Sequence, residues 1–232
     1  ILNKIIQEYI DSAQPVSSQL LEKKYDFGLS PATIRGEMQK LTDNGFLHQP
    51  HTSAGRVPTD KGYRFLVNNL FGKEFENFDV EDWFAKKIDD NINKFVSDEI
   101  KFVQTLTENL AHFSGALAFS YIEDEDIFWK EGWEDILREP EFGEKDYLID
   151  FTEFLENFEK NIKELKFGSG IKVYIGRENP FPKARNFTII SAKCSLPDNQ
   201  EIILSLLGPK RMAYDRNIGL MNSLNRLLEE LY

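Results

Sequence analysis

Between Ser30 and Val67 the sequence SPATIRGEMQKLTDNGFLHQPHTSAGRVPTDKGYRFLV sets helix starts, turns and breaks so close together that few chain paths satisfy them all. Ser30 is a good N-cap, and Pro31 occupies the first helical turn, where a missing N–H is harmless. Ile34, Met38 and Leu41 recur at i, i+4 and i+7, the buried stripe of a helix. Asn44-Gly45 is a turn signal. Phe46-Leu47-His48-Gln49 reads as a strand, Pro50-His51-Thr52-Ser53-Ala54-Gly55 as a short tip, and Arg56-Val57-Pro58 as the return. Thr59 caps a further helix in which Tyr63, Leu66, Val67 and Leu70 hold packing spacing. Upstream, Leu2, Ile5, Ile6, Tyr9 and Ile10 predict a first amphipathic helix. It closes at Asp11 to Pro15, because proline lacks the donor a helix needs. Ser17 caps a second helix, Ser18 to about Tyr25, which Gly28 breaks.

Three helices, a hairpin and a fourth helix make a winged helix-turn-helix unit, predicted here for residues 1–72. Opposite its buried stripe, the third helix carries Ala32, Gly36 and Gln39, flanked by Thr33, Arg35 and Lys40. Small residues let a helix approach a major groove, and long polar ones reach base edges or phosphates. The hairpin tip would hold His51, Thr52, Ser53 and Arg56 over phosphates or the minor groove. An ordinary solvated helix face would also be small and polar, so the helix alone does not decide between the two.

Charge bears on that choice. The 232-residue chain has a formal net charge of −11. Residues 1–72 hold eight cationic side chains against seven acidic ones, or +1, which leaves −12 for the remainder. DNA would be repelled by such a body and accepted only by the head; an acidic body also simply aids solubility. The single cysteine, Cys194, has no intramolecular partner, which fits a reducing, cytoplasmic setting. Apolar runs such as Gly115–Phe119 and Ile202–Leu207 are far shorter than the ~20 residues that span a bilayer. The sequence opens on Ile1, and native residues are expected upstream of it. His48, His51 and His112 form no HExxH, no paired CxxC accompanies them, and no nucleophile motif is present, so neither catalysis nor a metal or cofactor is expected. Arg177-Glu178-Asn179 and Lys210-Arg211 are polar clusters beside glycines that read as turns and strand ends or, alternatively, as an anion site.

After a linker at 73–79, residues 80–232 read as a second domain. Its expected elements are a long helix from Val80 to about Phe113, which packs on a core or on a second copy, then a strand at Gly115–Tyr121. A short helix follows at Glu131–Arg138 and an amphipathic helix at Asp146–Leu165. A turn at Gly168–Gly170 leads to strands at Ile171–Ile175, Thr188–Ser195 and Glu201–Leu207, the last two joined at Pro197-Asp198-Asn199. A final helix runs from Tyr214 to Leu231. This is an α+β domain with an antiparallel sheet flanked by helices.

The runs ATIR (Ala32–Arg35), QPHTSAGR (Gln49–Arg56) and PTDKGYRF (Pro58–Phe65), with ILNKIIQEYIDSAQPVSSQLL (Ile1–Leu21), resemble the DNA-binding head of the heat-inducible transcription repressor family HrcA. KVYIGRENPF (Lys172–Phe181) and LGPKRMAYDRNIGLM (Leu207–Met221) resemble its GAF-like C-terminal regulatory domain. Gly36 stands where the family typically has asparagine, and Gln39-Lys40, Lys210 and Ala213 also depart from its pattern. The body looks abridged between the Gly115–Tyr121 strand and the Trp129–Phe142 segment. The resemblance implies a homodimeric repressor of heat-shock chaperone genes that binds an inverted-repeat operator in double-stranded DNA, with GroEL chaperonin as a partner and no membrane. Thr33, Arg35, Gln39 and Lys40 would face the major groove. Ser17, Ser18, His51, Thr52, Ser53, Arg56, Lys61 and Arg64 would hold phosphate or the wing's groove. Two alternatives share the head: a regulator whose GAF-like domain senses a small molecule, and a module whose winged helix contacts protein.

Overall fold

The computed structural model describes residues 1–72, 99–165, 170–196 and 200–230. The chain divides into two compact units, Ile1–Glu74 and Phe75–Tyr232. The expected linker at 73–79 and the Val80–Asp98 part of the long helix lie outside the described residues, as do Gly168 and the Pro197-Asp198-Asn199 turn.

In the first unit, α1 spans Leu2–Ser12 and buries Leu2, Ile5, Ile6 and Ile10. It stops at Ala13, which turns left-handed at φ 54° and donates its N–H to Tyr9 O. α2 spans Ser18–Lys24, and α3 spans Pro31–Asp43. Strands β1 (Leu47–His48) and β2 (Val57–Pro58) pair antiparallel, Leu47 opposite Pro58 and His48 opposite Val57. α4 runs Asp60–Phe71. Among the buried charged side chains here is Glu8, only 5% exposed, which accepts from Tyr25 Oη and lies 2.6 Å from Lys24 Nζ. These hydrogen bonds from Lys24 and Tyr25 hold its carboxyl below the usual value, and the carboxylate together with burial pushes the Tyr25 phenol up to about 12. The cluster joins α1 to the end of α2.

The second unit is α+β. Its antiparallel sheet has five strands in the order β4-β3-β7-β6-β5, with β3 Leu117–Ile122, β4 Ile127–Glu131, β5 Lys172–Ile175, β6 Phe187–Ser195 and β7 Glu201–Pro209. Its helices are α5 (Glu99–Ser114), α6 (Trp133–Ile136), α7 (Lys145–Asn161) and α8 (Tyr214–Glu230). Every residue of β3 is buried, which requires cover on both faces of the sheet. On one face Leu117, Phe119 and Tyr121 join Ile189, Ile203 and Leu207 in a core with Phe151, Phe154 and Phe158 of α7. On the other, α5 lies against β3 and β4, and α8 against β6. There Ser120 shares a 2.6 Å hydrogen bond with Thr107 of α5, and Thr188 one of 2.9 Å with Tyr214 of α8.

One segment departs from the sequence reading. Ile127–Glu131 is a strand, and the helix expected over Glu131–Arg138 shrinks to Trp133–Ile136. The reason is pairing: Ile127 to Glu131 lie opposite Ile122 to Ala118, which outweighs a local helical preference. Asp126 at φ 56° makes the tight turn possible. No helix among the described residues is long and apolar enough to cross a membrane.

Candidate nucleic-acid interface

α3 is fixed at its start by Ser30, whose hydroxyl accepts from Thr33 N at 3.2 Å. Ile34 and Met38 are buried, while Ala32, Thr33, Arg35, Gly36, Gln39 and Lys40 are exposed. The helix therefore presents the small, polar, cationic face expected of it. A Cβ built on Gly36 would meet nothing within 4 Å, so the middle of that face is open. Lys40 pairs with Glu37 at 2.7 Å, and Gln39 Nε2 donates to Asp43 Oδ1 at 2.8 Å. Both pairs are solvent-exposed and yield readily to a stronger partner.

The tip between β1 and β2 organises itself. Gln49 Nε2 donates to Thr52 O at 2.8 Å and to Ala54 O at 2.9 Å. Ala54 N donates to His51 O at 2.8 Å, and His51 Nδ1 lies 3.2 Å from Ser53 Oγ. His51, Thr52 and Ser53 are all exposed. Thr59 caps α4 by accepting from Gly62 N at 3.2 Å while its hydroxyl donates to Gly45 O at 2.7 Å.

Two glycines explain why the hairpin sits so close to the helices. A Cβ on Gly55 would lie 2.3 Å from Val16 O, and one on Gly62 2.4 Å from Phe46 O. Both obstacles are backbone, so neither can swing aside. The approach at Gly55 serves an antiparallel bridge in which Val16 and Arg56 exchange N–H···O bonds of 2.9 and 2.8 Å. The same bridge puts exposed Ser17 beside the base of the hairpin.

Arg56 differs from expectation. It is 9% exposed, its Nε donates to Thr42 Oγ1 at 3.0 Å, and its Nη2 donates to Gln39 Oε1 at 2.9 Å. Its guanidinium ties the hairpin to α3 rather than standing out over a phosphate. Ser18 also differs: it is buried, because it lies one turn before Leu21 on the inward face of α2. Arg64 is half-buried on α4. Lys61 is exposed, with its ammonium 2.9 Å from Asn44 O and 4.5 Å from the centre of the Phe46 ring. The structure thus brings together Thr33, Arg35, Gln39 and Lys40 on one helix face, and His51, Thr52 and Ser53 at one tip. Gln49, Thr42 and the Val16 backbone shape this surface from behind. Gly55 was the sequence signal for the close approach to Val16, since only a residue without a Cβ fits there; nothing local marked the inward turn of Arg56.

Elsewhere, Arg211 is not an anion site. Its guanidinium donates to Glu141 at 2.6 and 2.9 Å and also contacts Glu139, tying the corner between β7 and α8 to the 3-10 helix Pro140–Gly143.

The family model described as the HrcA protein C terminal domain matches residues 60–218. A protein of Natranaerobius thermophilus named heat-inducible transcription repressor HrcA is 27% identical over 315 aligned residues, covering 95% of this chain and 92% of that one. Those 315 positions exceed the 232 residues here, so that relative carries additional residues. A protein of the same name from Alkaliphilus metalliredigens is 60% identical over 74 residues, 32% of this chain and 22% of that one. A solved structure described as a hypothetical protein superposes with a TM-score of 0.79 at 22% identity, over 99% of this chain and 96% of that one, and shares the fold.

Proposed function

This chain belongs to the HrcA family, and from that premise we propose that it is a transcription repressor whose first unit is a winged helix-turn-helix reading operator DNA. The observation that carries the reading is the exposed face of α3, with Thr33, Arg35, Gln39 and Lys40 around an open Gly36. Such a face can approach base edges closely, and the cations can neutralise phosphates. His51, Thr52 and Ser53 at the hairpin tip supply the second contact, in the manner of a wing. Ser17 and Lys61 add phosphate contacts at the flanks, while Arg56 acts from within by setting the angle between wing and helix. The names of the relatives support heat-inducible repression. An inverted-repeat operator calls for a homodimer, and two heads related by a two-fold axis would read its halves. The family resemblance supports chaperone genes as targets, a GAF-like body in residues 80–232, and GroEL as a partner of the active form. Heat would then act by weakening a dimer on which DNA affinity depends.

The test is fluorescence anisotropy of the full chain on a duplex with the family's inverted repeat and on a scrambled duplex, at two salt concentrations. Preference for the repeat, steep salt dependence and its reduction in Arg35→Ala are expected. Equal weak binding to both duplexes, unchanged in Arg35→Ala, would sink the reading. Adding chaperonin and raising temperature in the same assay tests the regulatory part separately.

A further inference from the structure

Gln39 is exposed on the outward face of α3, yet both ends of its amide are engaged. Its Oε1 accepts from Arg56 Nη2 at 2.9 Å, and its Nε2 donates to Asp43 Oδ1 at 2.8 Å. These partners fix which way round the amide lies, because a guanidinium only donates and a carboxylate only accepts. Turning the amide over would set N–H against N–H on one side and oxygen against oxygen on the other. The two engagements differ in strength. Asp43 lies one helical turn away and is itself exposed, so water competes for that bond. Arg56 is only 9% exposed and is anchored elsewhere as well. Its Nε donates to Thr42 Oγ1 at 3.0 Å, and that hydroxyl is oriented by donating to Met38 O at 2.9 Å. Its backbone is held by the bridge to Val16, with N–H···O bonds of 2.9 and 2.8 Å.

Withdrawing Gln39 Oε1 would leave a nearly buried guanidinium N–H unpaired, and an unpaired buried donor on a cation costs more than an ordinary lost hydrogen bond. Oε1 is therefore held from within the protein. Nε2 carries two N–H groups against one exposed partner and stays available from outside. This asymmetry bears on base recognition. A glutamine reads adenine in the major groove by accepting from N6 and donating to N7, which takes both ends of the amide. Here the accepting end is occupied. What remains is a donor, polarised by the cation on the far end of the same amide. Guanine presents two neighbouring acceptors on that edge, N7 and O6, and no donor.

Resting on the reading of α3 as the helix that meets DNA, we propose that Arg56 is a positioning residue that locks Gln39 as a hydrogen-bond donor, so that Gln39 selects guanine over adenine in the operator. The test is selection of bound duplexes from a randomised pool by the full chain, followed by sequencing, for the wild type, Gln39→Glu and Arg56→Ala. The wild type should favour guanine over adenine by about tenfold at the position that Gln39→Glu alters. Gln39→Glu keeps an acceptor for Arg56 but has no donor. It should exchange guanine for cytosine there, since a carboxylate accepts from cytosine N4, and leave the other positions alone. Arg56→Ala frees Oε1 and should bring adenine level with guanine at that same position. A purely structural Arg56 would weaken all duplexes evenly and move no base preference, which overturns the proposal. So does adenine enrichment by the wild type, or a pool that Gln39→Glu leaves unchanged. Gln39 is exposed, so its variant keeps the fold and decides the matter even where Arg56→Ala unfolds. Failure of the DNA reading has its own signature, a wild-type pool with no enriched sequence, and it removes both.

Discussion

The two units are held together by different means. The first depends on places where one backbone touches another: Gly55 against Val16 O, Gly62 against Phe46 O, and caps at Ser17, Ser30 and Thr59. The second depends on a layer of rings. Phe154 stacks on Phe187 at 5.2 Å and 6°, and Phe119 meets Phe158 edge-on at 5.0 Å. The backbone contacts admit only glycine and the caps a handful of small residues, whereas an aromatic layer accepts many combinations of similar volume. The lesson is that a position tolerates least exchange where the backbone geometry leaves no room for another residue. Large residues can carry a core while leaving little pattern to read.

The contrast can be tested from either side. The largest effect should come from the rings: Phe154→Ala empties a fully buried site and should destabilise the second unit by about 3–5 kcal/mol. Calorimetric unfolding should show the loss, with Phe154→Leu much milder. An equal loss in the leucine variant would break the claim that this core tolerates exchange. Gly55→Ala should follow, at about 3 kcal/mol, because a single methyl meets a carbonyl that cannot move. A near-neutral result there would remove the main distinction between the units.

Arg56→Ala and Arg35→Ala sharpen the comparison inside the first unit. Losing the Arg56 bonds to Thr42 and Gln39 should lower stability by about 1–3 kcal/mol. Arg35→Ala should leave the melting temperature alone and reduce the salt slope of duplex binding by about 1. Anisotropy and thermal melts on the same samples separate the two; a stability loss in Arg35→Ala would contradict its exposed placement.

The Glu8–Tyr25 pair predicts a pH signature confined to the first unit. The Glu8 carboxyl titrates below its ordinary 4.5 when folded, so its contribution is complete above 4.5 and fades as pH falls through the folded value. The Tyr25 phenol is raised from 10 to about 12, so its contribution is complete below pH 10 and fades as pH climbs towards 12. Glu8→Gln should flatten both edges in pH-dependent melts; persistence of the acid edge would assign it elsewhere. The smallest effect is Gly36→Ala, which should stabilise α3 by about 1 kcal/mol, since the added methyl meets open space.

Helices, caps and turns of residues 1–72 were legible because their causes are local: Ser30, Pro31, Thr59 and the Ile34–Met38 spacing act within a turn or two of chain. Strand β4 was not, because Ile127–Glu131 becomes a strand only when β3 offers its edge. The exposed face of α3 could be listed residue by residue from periodicity. The inward role of Arg56 could not, because it depends on Thr42, Gln39 and Val16, residues 14 to 40 positions away along the chain. Likewise Arg177-Glu178-Asn179 read from the sequence as a turn or, alternatively, an anion site. That Asn179 ties the β5–β6 loop by donating to both Gly176 O and Phe187 O depends on Phe187 arriving from the loop's far end. By itself the sequence determined element starts, buried stripes and the family, because short-range sterics and hydrophobic spacing are written in neighbouring residues. Only the tertiary structure decided which cations face outward and which bind the protein's own carbonyls, hydroxyls and carboxylates, because that choice rests on distances between residues far apart in the chain.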